Sequence, residues 1–219
     1  KKEEKIIAEG NVKSIDLINN IEIKSKKAIF YKNKNQIITT GETFFKINKD
    51  YNGESSDVHF YINEKIIFSE KFSSFEDNLN NLIQVQSFRY SNNSQVLKAN
   101  DIKLIDNKNN KYFLKKGFLK TKENILIGKD IKINLKNDIF GQPDNDPKLK
   151  GNSVVYENNK TLIKKGIFTS CKDNNECPPW AISSKEIIHD KDKKEIQYKN
   201  AWLKIYNIPV LYFPKFFHP

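Results

Sequence analysis

Apolar and polar residues alternate at a period of two along much of the chain. The clearest run sets Ile131, Ile133 and Leu135 against Lys132, Asn134 and Lys136. Val58, Phe60 and Ile62 stand in the same way against Asp57, His59 and Tyr61. Successive side chains of a strand point to opposite faces, so each run predicts a strand with one apolar face. Ile37, Thr39, Gly41, Thr43, Phe45 and Ile47 form a third such face. Phe30, Phe68, Ile125, Ile127, Leu203 and Ile205 are further inward candidates, subject to bulges that shift the phase. Between the runs lie Asn33-Lys34-Asn35, Asn92-Asn93-Ser94, Asp106 to Asn110 and Asn158-Asn159-Lys160. These clusters read as turns, with Asn and Asp supplying left-handed backbone in a chain that has only 8 glycines. A helical turn is expected only around Ser73 to Asn81, and a long irregular loop from Gly141 to Pro147.

The strands repeat as a unit. Lys26 to Tyr31, a turn, and Gln36 to Gly41 make one copy; Ala99 to Leu104 with Tyr112 to Gly117, and Gly151 to Tyr156 with Thr161 to Gly166, make two more. Ala28 to Gly41 and Ser153 to Gly166 each span 13 positions, and Asp101 to Gly117 spans 16. A last hairpin keeps the plan, with Ile182 to Ile188 leading out and Ile196 to Trp202 returning, and Ala201 replaces the glycine. Strand, polar turn, strand and small residue, repeated, predict stacked antiparallel hairpins rather than a βαβ fold. After this hairpin Pro209, Pro214 and Pro219 fix φ and remove backbone donors, so residues 206–219 are expected to form an extended exit or edge strand.

Composition narrows the class. The 219 residues contain no Met, so the sequence reads as a mature or excised piece, long enough to bury its own core. No run approaches the ~18 apolar residues of a membrane helix. The net charge of +11 suggests a polyanion partner, yet of 38 basic residues only Arg89 is arginine. Base readout and phosphate clamps lean on the guanidinium fork, which argues against nucleic acid. Lysine ammonium groups on an outer face suit solvent, or the phosphates of an anionic glycolipid. Catalytic motifs of the nucleophile-elbow, P-loop, dinucleotide and zincin types are absent, so neither an enzyme nor a cofactor is expected. His59, His189 and His218 have no ligand spacing to Cys171 and Cys177, and no metal is expected. His189-Asp190 reads as turn chemistry.

The order Cys177-Pro178-Pro179-Trp180, then Asn200-Ala201-Trp202-Leu203, then Ile208 to Pro219 closely resembles the end of the periplasmic domain of the LptD (OstA, Imp) family of outer-membrane lipopolysaccharide-assembly proteins. Glu9-Gly10-Asn11-Val12 resembles that family's opening strand, and the hairpin units resemble its OstA-type repeats. The likeness is close from Cys171 to Pro219 and looser from Ile6 to Ser170. It implies an all-β, open V-shaped jelly roll of stacked hairpins over residues 1–205, with 206–219 leading toward a C-terminal outer-membrane barrel. It also implies a location at the periplasmic face of the outer membrane. Function would be transfer of lipopolysaccharide acyl chains along an apolar slit, for which Phe30, Phe45, Val58, Phe60, Ile62, Phe68, Ile131, Ile133 and Leu135 are candidates; the bland alternative is a packed core. Ile6, Ile7, Ala8, Glu9, Gly10, Asn11 and Val12 would form the edge that receives an LptA-like bridge protein. An LptE-like lipoprotein would be met through the barrel.

Cys171 and Cys177 favour a disulfide in a periplasmic setting. Closure across their short loop and pairing with barrel cysteines, as the family does, both remain open. Cys171 sits in a position resembling the family's second periplasmic cysteine; the family's early N-terminal cysteine is missing here, either cut off or absent, and Cys177 is additional. A structural or adhesive β-solenoid and a carbohydrate-active β-domain are the competing functional classes.

Overall fold

The computed structural model describes residues 4–48, 50–136, 146–171 and 178–218, with residue 218 described for its backbone alone. Among them every regular element is an antiparallel strand, apart from one 3-10 turn at Lys32–Lys34, and the fold is all-β and jelly-roll-like. Two compact units are present, Lys1–Asn107 with Lys120–Lys122, and Lys108–Leu119 with Glu123–Pro219.

The first unit holds β1 (Lys5–Asp16), β2 (Ile21–Tyr31), β3 (Gln36–Thr39), β4 (Glu42–Ile47), β5 (Tyr51–Ser56), β6 (His59–Tyr61), β7 (Ile66–Ser69), β8 (Ser73–Asp77), β9 (Leu82–Val85), β10 (Ser87–Ser91) and β11 (Val96–Ile105). Two ladders leave the long strand β2. Its C-terminal half pairs with β3, followed by β6, β7, β10 and the start of β11. Its N-terminal half pairs with β4, followed by β5, β8, β9 and the end of β11. Cross-strand partners share a face, so Phe30, Ile37, Phe60, Ile67, Tyr90 and Leu97 form one inward row. Ile23, Phe45, Gly53, Phe75 and Ile83 form the matching row of the other ladder.

The ladders meet through aromatic rings. Phe88 of β10 stacks on Phe45 with centroids 5.3 Å apart and meets Phe75 edge-on at 4.8 Å. The Asn48 side-chain amide reaches the Tyr90 hydroxyl at 3.3 Å. Where the chain crosses between ladders, buried hydroxyls take up backbone groups the ladders leave over. Thr43 donates to Thr39 Oγ1 at 2.8 Å, which in turn accepts from the Val58 N–H, and Ser69 Oγ donates to the Ser56 carbonyl at 2.7 Å.

The second unit holds β12 (Lys111–Lys120), β13 (Ile125–Asn134), β14 (Lys148–Glu157), β15 (Lys160–Thr169), β16 (Trp180–Asp190), β17 (Glu195–Ile205) and β18 (Ile208–His218). From β13 to β18 each strand pairs with the next. Each long strand breaks its alternation once. In β13, β15 and β17 two adjacent residues turn outward between buried ones, and Asp130, Lys165 and Asn200 adopt φ near +50° there. Such a bulge bends the strand, so one strand lines two differently oriented stretches of core. Gly128, Val154, Ile163, Ile187, Tyr198 and Phe216 make the inward row before the bend. Ile133, Leu149, Phe168, Ile182, Leu203 and Leu211 make the row after it.

The small residue of the repeat has a packing cause. A Cβ at Gly166 would sit 2.6 Å from Ile187 Cδ1, and one at Gly151 would strike Ile163 Cγ2. Gly128 likewise receives Leu114. The aliphatic chain of a neighbouring strand therefore lies across each glycine. Gly41 differs: its surroundings are open, and its φ of +78° is what calls for glycine.

The turn expectation holds, with Asn20, Asn35, Asn80, Asn109, Asn124 and Asn158 all at positive φ. The helical turn expected at Ser73 to Asn81 does not form. Ser73 and Phe75 face inward from strand β8, and the Asp77 carboxylate accepts the N–H groups of Leu79 and Asn81 at 2.9 Å to close the following turn. Residues 208–218 pair with β17, and Pro209 and Pro214 are accommodated in that last strand. Most of the 141–147 loop lies outside the described residues.

Gly166→Val is expected to cost about 1–3 kcal/mol through overpacking. Combining it with Ile187→Ala, which clears the space, should cost less than the sum of the two single changes. Strict additivity in urea unfolding would show that Gly166 is not there to admit Ile187.

Candidate functional site

The slit candidates divide between the units and by depth. Phe45, Val58 and Phe60 are completely buried in the first unit, and Ile131, Ile133 and Leu135 are buried in the second. Phe30 and Ile62 are half-buried; Phe30 lies on the inward row with Phe60. Phe68 does not. The β6–β7 register sets Phe60 opposite Ile67 and therefore Phe68 opposite His59, on the other face. There it stacks on His59 at 4.8 Å and on Tyr61 at 5.6 Å, with the Arg89 guanidinium 5.2 Å from its ring centroid. Paired strands of three and four residues leave too little alternation for sequence to fix that phase.

The inward rows end differently: that of Ile23 and Phe45 meets polar Ser14 of β1, whereas two others run out in apolar residues. In the first unit Ile6 of β1 pairs with Phe30 and continues its row, yet is 52% exposed. In the second, Leu211 of β18 continues the Leu203 row at 50% exposure, and Phe213 and Phe216 are half-buried beside it. Sequence reading did not single out this end of the second unit as a surface. The signal was present in the apolar residues of Ile208 to Phe217.

The expected docking segment Ile6 to Val12 lies in β1, which pairs with β2 and is the least buried strand of its unit. The register slips between Glu9 and Val12, where Gly10 takes φ +105°. A shallow dent of about 150 Å³ lies over Glu22, Lys24, Phe44, Lys46 and Asn52, residues of the outer face of the β2–β4–β5 ladder. Cys171 follows β15, its N–H on Thr169 Oγ1 at 3.3 Å and its sulfur 3.9 Å from the Trp180 carbonyl. Cys177, and with it the disulfide expectation, lies outside the described residues. Among the described residues no three His, Cys, Asp or Glu gather as a metal site.

No protein-family model matches the chain. Curated relatives are similar over a short stretch. The LPS-assembly protein LptD of Yersinia pestis is 37% identical over 54 residues, 25% of this chain and 7% of that protein. The LptD of Sodalis glossinidius is 34% identical over 58 residues, 26% of this chain and 7% of its own length. That of Salmonella typhimurium is 33% identical over the same length and shares. The likeness to LptD thus covers about a quarter of this chain, which spans only 7% of those relatives.

The titratable groups of these faces are held mostly by burial. His189 faces inward beside Ile196, and burial pushes its pKa down, helped by Lys191 and opposed by Asp190. His59 is lowered by burial against the pull of Asp57 and Glu70. Tyr198, at the centre of the second unit's inward row, is driven up by burial alone. Asp190 caps the β16–β17 turn, accepting from the Asp192 and Lys193 N–H groups at 3.1 Å and pairing with Lys160 at 3.2 Å, and its pKa falls.

These shifts set a pH dependence. A histidine with a depressed native pKa binds its proton more readily when unfolded. Stability therefore falls as pH drops through the unfolded value of about 6.5 and levels off below the native pKa. Asp190 acts lower, its contribution starting to fall at the unfolded value of about 4 and being lost through its lower native pKa. The urea midpoint should decrease from about pH 7.5 to about pH 5, and His59→Gln with His189→Gln should flatten that decrease. An unchanged slope in the double variant would mean that neither ring is held neutral by the fold.

Proposed function

We propose that this chain is a lipopolysaccharide-handling jelly roll of the LptD kind, whose inward apolar rows carry acyl chains at the periplasmic face of an outer membrane. The observation that carries this reading is the way two of those rows run out into exposed Ile6 and Leu211. A purely structural hairpin stack has reason to close its last strand with polar residues. The stretch of similarity to LPS-assembly proteins supports the same reading.

The buried members differ in role from the half-exposed ones. Phe45, Val58, Phe60, Ile131, Ile133 and Leu135 are floor, in full contact with their neighbours. Phe30, Ile62, Leu203, Phe213 and Phe216 are only half covered, so an acyl chain lying on them replaces water contact. Phe68 drops out, since it faces the other way. In this reading a bridge protein of the LptA type adds a strand at β1, and a barrel, with an LptE-like lipoprotein, lies beyond the described chain.

A photo-crosslinker at Phe30 or Leu211 should capture lipopolysaccharide in cells, and one at Lys46 on the outward face of β4 should not. Equal capture at all three positions would exclude an inward acyl path. Leu203→Asp should stop transfer while circular dichroism stays unchanged, because a carboxylate among acyl chains must be desolvated or neutralised. For the docking edge, Ala8→Pro should weaken binding of an LptA-like partner without unfolding the second unit. Unchanged affinity would remove β1 from the entry path.

A further inference from the structure

The second unit is apolar on its outward face as well. The β13–β18 registers align Ile127, Val155, Leu162, Ile188, Gln197 and Phe217, each one position from an inward residue of the row before the bend. The sequence shows this as doubled apolar pairs at one level on β14, β15, β16 and β18: Val154-Val155, Leu162-Ile163, Ile187-Ile188 and Phe216-Phe217. Strands with one face in water alternate; strands apolar on both faces are ordinarily covered on both. Among the described residues nothing covers this strip fully: its aliphatic members are half-exposed and Phe217 is 62% exposed.

Two residues further along each strand runs a second aligned row, Lys129, Ser153, Lys164, Glu186, Lys199 and Lys215. It holds four lysines to one carboxylate, and Lys199 pairs with Glu186 at 2.9 Å. The bulge residue Lys165 adds to the same bend. Past it the outward row is Lys132, Lys150, Ile167, Ser183, Trp202 and Tyr212. Trp202 and Tyr212 are each 43% exposed and contact one another, centroids 5.0 Å apart.

An aliphatic strip, a lysine row beside it and an exposed Trp–Tyr pair past the lysines are the three chemistries of a surface that lies in a lipid headgroup layer. We infer that the outward face of β13–β18 rests on an anionic bilayer surface, with phosphate-bearing headgroups against the lysine row and the strip and aromatic pair entering the interface. Charge complementarity selects this occupant over a protein. The row offers flexible point charges spaced strand by strand, which suit a fluid layer of phosphates, and no arginine fork. This surface is distinct from the inward rows that serve the proposed transport.

The test uses the whole chain in a Trp180→Phe background, so that Trp202 alone reports. Vesicles of phosphatidylethanolamine with phosphatidylglycerol should bind the protein in flotation and shift Trp202 emission to the blue, and vesicles of phosphatidylcholine should do neither. Lys129→Gln with Lys164→Gln and Lys215→Gln should weaken binding about a hundredfold, at roughly fivefold per lysine. Leu162→Thr with Ile188→Thr and Phe217→Ser should abolish the blue shift, with circular dichroism and the urea midpoint confirming that each variant folds. Failure to bind anionic vesicles at low salt overturns the inference. So does equal binding to phosphatidylcholine, or binding unchanged in the lysine variant, which would turn the search toward a protein covering the strip.

Discussion

In β13, β15 and β17 two neighbouring residues turn outward at mid-length, and Asp130, Lys165 or Asn200 takes left-handed backbone to allow it. Left-handed backbone at a non-glycine residue costs roughly 1–2 kcal/mol. The bend returns more than that, because without it a strict period of two would send one half of each strand's apolar set to solvent. With the bend, Ile163 and Phe168 of the same strand are both buried although they are five positions apart. The first unit achieves a comparable change of direction with long shared strands and a corner of buried hydroxyls, Thr39, Thr43, Ser55, Ser69 and Ser73.

Close approach of the strands at these bends depends on the glycines. At Gly166 and Gly151 the missing Cβ is the space into which the next strand's isoleucine extends. Each repeat therefore supplies a hole for one neighbour and a knob for another. That reciprocity explains why a hairpin of about 13 residues recurs: one unit buries little alone, and stacking completes it.

Much of this was legible in the residues. The alternation at Ile131, Ile133 and Leu135 marked a strand face correctly, since that run is long enough to hold its phase. Asn-rich clusters identified the turns because few other residues tolerate positive φ. Phe68 was not legible: β6 and β7 have three and four residues, and which face a ring takes is decided by hairpin register, a property of the pair. The helical turn expected at Ser73 to Asn81 is absent because Ser73 serves a buried corner and Asp77 an Asx-closed turn. The role of the repeat glycines lay beyond local reading, since the atom that excludes a Cβ belongs to another strand.

The doubled apolar pairs bring both faces of one sheet into a single energetic argument. Covering one half-exposed aliphatic side chain is worth on the order of 1 kcal/mol, so the outward strip alone offers about 5 kcal/mol. A lysine near an anionic surface adds roughly 1 kcal/mol. Neither term by itself gives more than weak, reversible attachment, which is the general reason membrane anchoring needs two signals. Lys129, Lys164 and Lys215 lie two positions from Ile127, Leu162 and Phe217 on the same faces of the same strands, so both signals engage together or not at all. The inward rows meet the opposite requirement. Under the proposed transport they would have to hold a chain loosely enough to release it, and half-covered Phe30 and Leu203 give less contact than buried Phe60 and Ile163. On these two proposals a single hairpin stack would bind a bilayer firmly outside and a moving acyl chain weakly inside, because adjacent residues of each strand belong to different surfaces.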